Sequence, residues 1–202
     1  MALWLDPQPL ILASRSAARA AMLKATGIPI ESAPADIDER AVEERAGALA
    51  PGEAANLLAR EKARIIGGNY ISRLVVGADQ TLALGERRFS KPKDRAGARE
   101  QLRALSGRTH ELHSAVAVSS DGRVVFSHVD TAKLTMRSLS ERFIDAYLDA
   151  AGDSVTTTVG GYQLERLGIQ LFEKIDGDHF TILGMPLFAL LAFLRREGRL
   201  TS

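Results

Sequence analysis

The run Leu74-Val75-Val76-Gly77-Ala78, closed by Asp79, restricts this chain more than any other segment. Five apolar residues with no polar alternation read as a strand buried on both faces, ending at Asp79. Such a strand needs layers above and below it, so the sheet it belongs to is covered by helices. The rest of the chain supplies them. Leu10-Ile11-Leu12-Ala13 is a second short strand, followed by Ser14-Arg15-Ser16 and a helix over residues 17–26 that Gly27 terminates. Residues 28–33 are extended, Asp36-Ile37-Asp38-Glu39 forms an acidic loop, and Pro51-Gly52 opens a helix reaching Ile66 before Gly67-Gly68.

Beyond Asp79, Ser90-Lys91-Pro92 marks a loop, and Asp94 caps a helix whose apolar side is Ala98, Leu102 and Leu105. Strands are expected over 111–118 and 123–129, joined through Ser119-Ser120-Asp121-Gly122 as a hairpin. Ser140 caps a helix with Phe143, Ile144, Tyr147 and Leu148 on one side. A second hairpin is expected where 169–175 and 179–183 flank Asp176-Gly177-Asp178, and Pro186 starts the last helix. Strands and helices alternate early and hairpins dominate later, which gives an α/β class with a mixed sheet. The 202 residues fit one domain, or one domain with two lobes.

Composition excludes several functions. The absence of cysteine removes disulfides, thiolate zinc sites and cysteine nucleophiles. A net charge of +1 and only 5% aromatic residues give neither a global field nor a stacking surface for nucleic acid, so no stable nucleic-acid binding is expected. No apolar stretch is long enough to span a membrane, and no basic segment precedes an apolar one at the N-terminus. A cytoplasmic location is the expectation. No G-x-x-x-x-G-K-[ST] loop, G-x-S-x-G elbow or H-E-x-x-H helix occurs, and the four histidines form no i, i+4 helical pair.

Three features carry chemistry on residue type alone, each with a plainer alternative. Strand, Ser14-Arg15-Ser16 turn and helix together can make an anion site from hydroxyls, free N–H groups and the helix dipole, with Arg19 on the first turn. The alternative is that Ser16 only caps the helix and Arg19 is solvated. Lys62 falls on the apolar stripe of Ala54, Leu58, Ile65 and Ile66, where an unpaired ammonium is costly, so it snorkels to water or meets an anion in a cleft. Asp79 at the carboxyl end of its strand can hold Mg²⁺ or orient water, or cap a turn at Gln80-Thr81. Lys91 is a constrained loop lysine, and Glu39 is by itself a solvated acid.

Seven stretches in order resemble the Maf family of nucleotide pyrophosphatases. They are Leu12-Ala13-Ser14-Arg15-Ser16-Ala17-Ala18-Arg19, Asp36-Ile37-Asp38-Glu39, Leu58-Ala59-Arg60-Glu61-Lys62-Ala63, Val76-Gly77-Ala78-Asp79, Lys91-Pro92, Leu105-Ser106-Gly107-Arg108-Thr109-His110 and Gly184-Met185-Pro186-Leu187. The resemblance implies a single Maf-like domain over residues 1–202, with a mixed twisted sheet, flanking helices and two lobes around a central nucleotide cleft, as in inosine triphosphatases. It implies a nucleoside triphosphate substrate, a divalent cation (Mg²⁺ or Mn²⁺) and a homodimer. Asp79 becomes the proton acceptor or metal-side carboxylate and Glu39 a second acid near the metal, with Lys62 in the same catalytic set. Ser14, Ser16, Arg19, Lys62 and Lys91 bind the triphosphate.

The same resemblance bears on the base. The dTTP- and UTP-preferring branch carries arginine, threonine and glutamine where this chain has Ala18, Gln80 and Glu165. Gln80 and the segment from Glu165 to Glu173 look more like the 7-methyl-GTP branch, although Ala18 stands where that branch has an aromatic residue. The expected reaction is attack of a metal-activated water on the α-phosphorus, releasing nucleoside monophosphate and pyrophosphate. The alternatives are a dTTP, UTP or broad-specificity pyrophosphatase, and a non-catalytic regulatory protein linked to cell division.

Overall fold

In the computed structural model, which describes residues 3–201, the chain forms two units. The first takes in the residues up to Gln80, Ser114–Asp130 and those from Asp178 on; the second takes in Thr81–His113 and Thr131–Gly177. The strands are β1 (Leu10–Leu12), β2 (Ile30–Ser32), β3 (Leu74–Leu84), β4 (Arg87–Phe89), β5 (Thr109–Ser120), β6 (Arg123–Met136) and β7 (Phe172–Asp176). They are hydrogen-bonded in the order β2-β1-β3-β5-β6-β7, with β4 on β3. The helices are α1 (Ala17–Ala25), α2 (Glu39–Ala46), α3 (Pro51–Gly67), α4 (Arg95–Leu105), α5 (Glu141–Ala151), α6 (His179–Ile182) and α7 (Leu187–Arg196). Among the described residues no helix is long and apolar enough to cross a membrane.

In the first unit β1 runs parallel to both β2 and β3, with Leu12 opposite Ser32 and Val76. One face of these strands, Leu10, Leu12, Val76 and Ala78 with Val116 and Val118, packs on Met22 and Leu23 of α1 and on Leu187, Leu190, Phe193 and Leu194 of α7. The other face meets α3 through Ala115 and Ala117 against Ala55, Ala59 and Ala63, and through Ile11, Ala13 and Val75 against Ile66. Burial of the 74–78 run on both sides therefore follows as its composition requires.

Ala54, Leu58, Lys62 and Ile66 are buried on α3 as expected, but Ile65 beside them is not. The seam is made by Ala55, Ala59 and Ala63 beside Leu58, Lys62 and Ile66. Small residues let the helix sit low on the sheet. A Cβ at Gly77 would lie 2.1 Å from the Ala59 carbonyl oxygen and 2.6 Å from the Ala63 nitrogen. At the end of the same helix, Ser119 Oγ donates to the Ala63 carbonyl at 2.6 Å, in space that only Gly67 leaves free.

In the second unit α4 starts on Asp94, which accepts from the Gly97 N–H at 2.7 Å, and buries Ala98, Leu102 and Leu105. Ion pairs Arg103–Glu141 and Arg99–Asp145 tie α4 to α5. His110 is fully buried, with Nε2 2.7 Å from the Tyr162 hydroxyl, and burial pulls its pKa down to about 4, so the ring is neutral.

Three expectations need correction. The acidic segment is not all loop: Asp38 accepts from the Ala41 N–H at 3.0 Å and caps α2, so Glu39 opens a helix. That helix buries nothing, and without an apolar stripe it gave no periodic signal. Asp79 does not end its strand. β3 continues to Leu84 and turns at Gly85 into β4, pairing Leu82 with Phe89, while its parallel contact with β1 stops at Val76. Asp79 thus stands just past the parallel ladder, in the middle of a longer strand. The second expected hairpin does not form. Residues 167–171 are 3₁₀, β7 pairs antiparallel with β6, and Asp178 caps α6 by accepting from the Thr181 N–H at 2.9 Å. Asp-Gly-Asp was compatible with either role, because Asp is as good a helix cap as a turn residue.

Gly77→Ala should cost about 1–3 kcal/mol by forcing α3 off the sheet. Urea unfolding measures this directly, and Tm should fall by about 2–4 °C for each kcal/mol. An unchanged midpoint would mean that α3 moves aside freely.

Candidate active site

α3 and β3 bring the first group together. Lys62 lies on the buried face of α3 and Asp79 lies on β3 two residues past Gly77, where strand and helix touch; both side chains are almost fully buried. Lys62 Nζ donates to Asp79 Oδ1 at 2.6 Å and lies 2.6 Å from Glu39 Oε1 on the first turn of α2. The lysine therefore neither snorkels nor stays unpaired. Glu39 remains about half exposed. Burial pushes the Asp79 carboxyl above the usual carboxylate range, against the opposing pull of Lys62 and then Arg19.

The second group gathers at the start of α1. Ser16 caps the helix, its Oγ accepting from the Arg19 N–H at 3.3 Å, so the plain capping role is real. Ser14 Oγ accepts from the Ser16 N–H at 3.2 Å and from Arg19 Nη1 at 3.4 Å. Each hydroxyl keeps its own proton to donate. The first intrahelical bond runs from the Ala20 N–H to the Ser16 carbonyl, which leaves the Ala17 and Ala18 amides as first-turn donors. Ala18 thus offers a backbone N–H and a methyl.

Arg19 is not solvated. Its Nε donates to the Gly184 carbonyl at 2.8 Å and its Nη1 to the Ala78 carbonyl at 2.9 Å. Burial pulls the guanidinium below its ordinary value, opposed by attraction to Asp79 and Glu39, and it stays cationic. Two cations, Arg19 and Lys62, thus face two carboxylates, Asp79 and Glu39.

Ser14, Ser16, Arg19, Glu39, Lys62 and Asp79 all belong to the first unit, as do Ala18 and Gln80. Gln80 turns to the opposite side of β3 from Asp79, where its Nε2 donates to Ser114 Oγ and to the carbonyls of Thr181 and Ile182. Lys91 and Glu165 belong to the second unit: Lys91 is exposed between β4 and α4, and Glu165 is exposed in the turn before residues 167–171. The Gly184 carbonyl was not expected in the site. Its segment stood out only as a motif, since a backbone acceptor leaves no trace in side-chain type.

Asp79 Oδ1 and Glu39 Oε1 are hard oxygen donors that both meet Lys62 Nζ, each at 2.6 Å. Among the described residues no set of three or more His, Cys, Asp or Glu is placed to hold a metal ion. One or two carboxylates, completed by water and phosphate oxygens, is how proteins hold Mg²⁺, so the donor set fits that ion.

The sequence profile of the family described as "Maf-like protein" matches residues 9–197. The chain is 58% identical over 200 residues to a Rhodopseudomonas palustris protein named nucleoside triphosphate pyrophosphatase, covering 99% of each. It is 57% identical to a Bradyrhizobium diazoefficiens protein of the same name, covering 98% of each. It is 50% identical over 191 residues to a Brucella abortus protein named 7-methyl-GTP pyrophosphatase, covering 93% of this chain and 96% of that one.

Removing Lys62 strands a buried carboxylate. Lys62→Met should destabilise the protein by about 3–5 kcal/mol at neutral pH, and adding Asp79→Asn should recover part of that loss. Urea unfolding of the two variants checks both; a double variant no more stable than the single one would mean that the pair is not coupled.

Proposed function

The chain belongs to the Maf family, and we propose that it hydrolyses nucleoside triphosphates between the α- and β-phosphates, giving nucleoside monophosphate and pyrophosphate. The observation that carries this reading is Asp79: a buried carboxyl, raised by its surroundings and flanked by the cations Lys62 and Arg19. A proton acceptor works best when its pKa lies near the working pH, and burial moves Asp79 in that direction.

In the reaction Asp79 takes a proton from water as the water oxygen bonds to the α-phosphorus. The bond from that phosphorus to the bridging oxygen breaks, and pyrophosphate leaves with the bridging oxygen. Arg19 and Lys62 neutralise the negative charge that grows on the phosphates, and Lys91 is a further phosphate-binding residue. Ser14, Ser16 and the first-turn amides of α1 hold and orient phosphate oxygens. A divalent cation held by Asp79 and Glu39 supplies further charge neutralisation when bound. The enzyme works in the cytoplasm as a homodimer.

Asp79→Asn keeps the shape of the side chain and removes the acceptor, so turnover should fall by about two orders of magnitude or more while the fold survives. Chromatography of products with Mg²⁺ and a nucleotide panel tests the reaction. Accumulation of diphosphate and orthophosphate would move the cut to the β–γ bond and overturn the mechanism.

For the base we propose 7-methyl-GTP. In support, the Brucella abortus protein carries that name, and Glu165 is an exposed carboxylate for which no ion pair occurs among the described residues. Methylation at N7 makes the purine cationic, and a carboxylate attracts it. Glu165→Gln should therefore reduce the preference for 7-methyl-GTP over GTP by roughly ten- to a hundred-fold in kcat/KM. A wild-type preference for dTTP or UTP would overturn this choice and leave the pyrophosphatase reading intact.

A further inference from the structure

Glu165 sits on a loop whose two stems meet at one buried ring. The loop leaves the core at Tyr162 and returns at Phe172, where β7 begins. His110 of β5 lies against both stems. Its Nε2 is 2.7 Å from the Tyr162 hydroxyl, and its ring centroid is 5.7 Å from that of Tyr162 and 5.8 Å from that of Phe172. The Tyr162 and Phe172 rings themselves meet edge-on at 4.9 Å. His110 is fully buried and Tyr162 nearly so, and His110 Nδ1 has no hydrogen-bond partner among the described residues. Without the Tyr162 hydroxyl the buried imidazole would have both nitrogens orphaned. All of these residues belong to the second unit.

Between the stems the chain is tied to itself. The Gln163 carbonyl accepts from the Arg166 N–H and the Gly168 N–H, both at 3.1 Å, and a Cβ at Gly168 would lie 2.4 Å from that oxygen. The backbone around Glu165 is therefore fixed within its turn, and where the turn stands depends on the stems. The Phe172 stem is part of the sheet: Phe172 is opposite Met136 in the β6–β7 ladder, and the Leu171 carbonyl accepts from the Arg137 N–H at 2.9 Å. The Tyr162 stem is held by side chains instead. Gly160 and Gly161 take positive φ, 79° and 71°, which turns the chain out of any extended ladder. Gln101 Oε1 accepts from the Gly160 N–H at 2.9 Å, the Tyr147 hydroxyl donates to the Gly161 carbonyl at 3.2 Å and Thr158 Oγ1 donates to the Tyr162 carbonyl at 2.7 Å. The bond between Tyr162 and His110 joins this stem to β5.

We infer that His110 and Tyr162 are positioning residues for base selection: their bond pins the side-chain-held stem against Phe172 and so sets where Glu165 stands, without acting on the phosphates. A pair that served the core alone would alter stability and leave the choice of nucleotide as it was. The inference deepens the 7-methyl-GTP reading and rests on it for the base that Glu165 meets.

Tyr162→Phe keeps the ring and removes the hydroxyl. Arg166, exposed in the same turn, reports on the loop: under native conditions trypsin should cut after it roughly ten-fold faster in the variant, read by mass spectrometry of the fragments. The preference for 7-methyl-GTP over GTP in kcat/KM should fall by roughly ten-fold. Calorimetric titration with inorganic tripolyphosphate and Mg²⁺, a probe without a base, should give an unchanged affinity. In a Glu165→Gln background the same substitution should change the preference little further, because the group it positions is gone. If Tyr162→Phe folds poorly, combining it with His110→Leu removes the bond without leaving a polar group alone in the core, and the same changes are expected. Unchanged cleavage after Arg166 would overturn the inference. So would tripolyphosphate affinity that falls along with the preference, additive effects of the Tyr162 and Glu165 changes, or a preference that Glu165→Gln alters and Tyr162→Phe does not. If the wild type has no preference for 7-methyl-GTP that Glu165→Gln reduces, the base reading fails, and cleavage after Arg166 alone decides whether the clamp stands.

Discussion

The contact between Lys62 and Asp79 is the constraint around which the first unit is arranged. An ammonium and a carboxylate taken out of water lose several kcal/mol of hydration each, and only a short, well-made pair compensates. The pair is short because α3 lies low on β3, and α3 lies low because Gly77 has no side chain and Ala59 and Ala63 have small ones. A larger residue at any of these positions raises the helix and opens the pair. Arg19 and Glu39 complete a quartet of two positive and two negative groups, so the unit folds around a locally neutral cluster.

A single strand serves both sides of this arrangement. Alternation along β3 sends Asp79 toward α3 and Gln80 toward α6, while the backbone carbonyl of Ala78, the residue before Asp79, reaches Arg19. Opposite faces of the sheet are thus served from adjacent residues. The extension of β3 to Leu84 matters for the same reason: Asp79 has strand on both sides of it, which fixes its direction more firmly than a free strand end would.

The layered fold was legible because it is written in side-chain type. A run without polar residues, serine and aspartate caps, and glycines after helices gave β1, α1, α3, α4, α5 and α7 with nearly correct limits. Lys62 was conspicuous as a charge on an apolar stripe. What escaped the sequence has no such mark. α2 is a helix without a buried face, and Asp178 in its Asp-Gly-Asp setting serves a cap or a turn equally well. The Gly184 carbonyl acts through its backbone, and the dependence of the site on Gly77 is a matter of missing atoms. Arg19 was readable as a cation at a helix start, but the two carbonyls that hold it lie 59 and 165 residues away along the chain.

The position of Arg19 in the sheet has one more consequence. The last bond of the β1–β3 ladder runs from the Ala13 N–H to the Val76 carbonyl, and the next acceptor on that edge of β3, the Ala78 carbonyl, is taken by the Arg19 guanidinium. The side chain continues the ladder where β1 stops. An arginine free in solvent samples many rotamers and gives up roughly 2 kcal/mol of that freedom when it is fixed. Here that freedom is surrendered when the chain folds rather than when a ligand arrives, so the guanidinium should relax on the timescale of sheet amides, and an incoming anion meets a receptor whose entropy has already been lost.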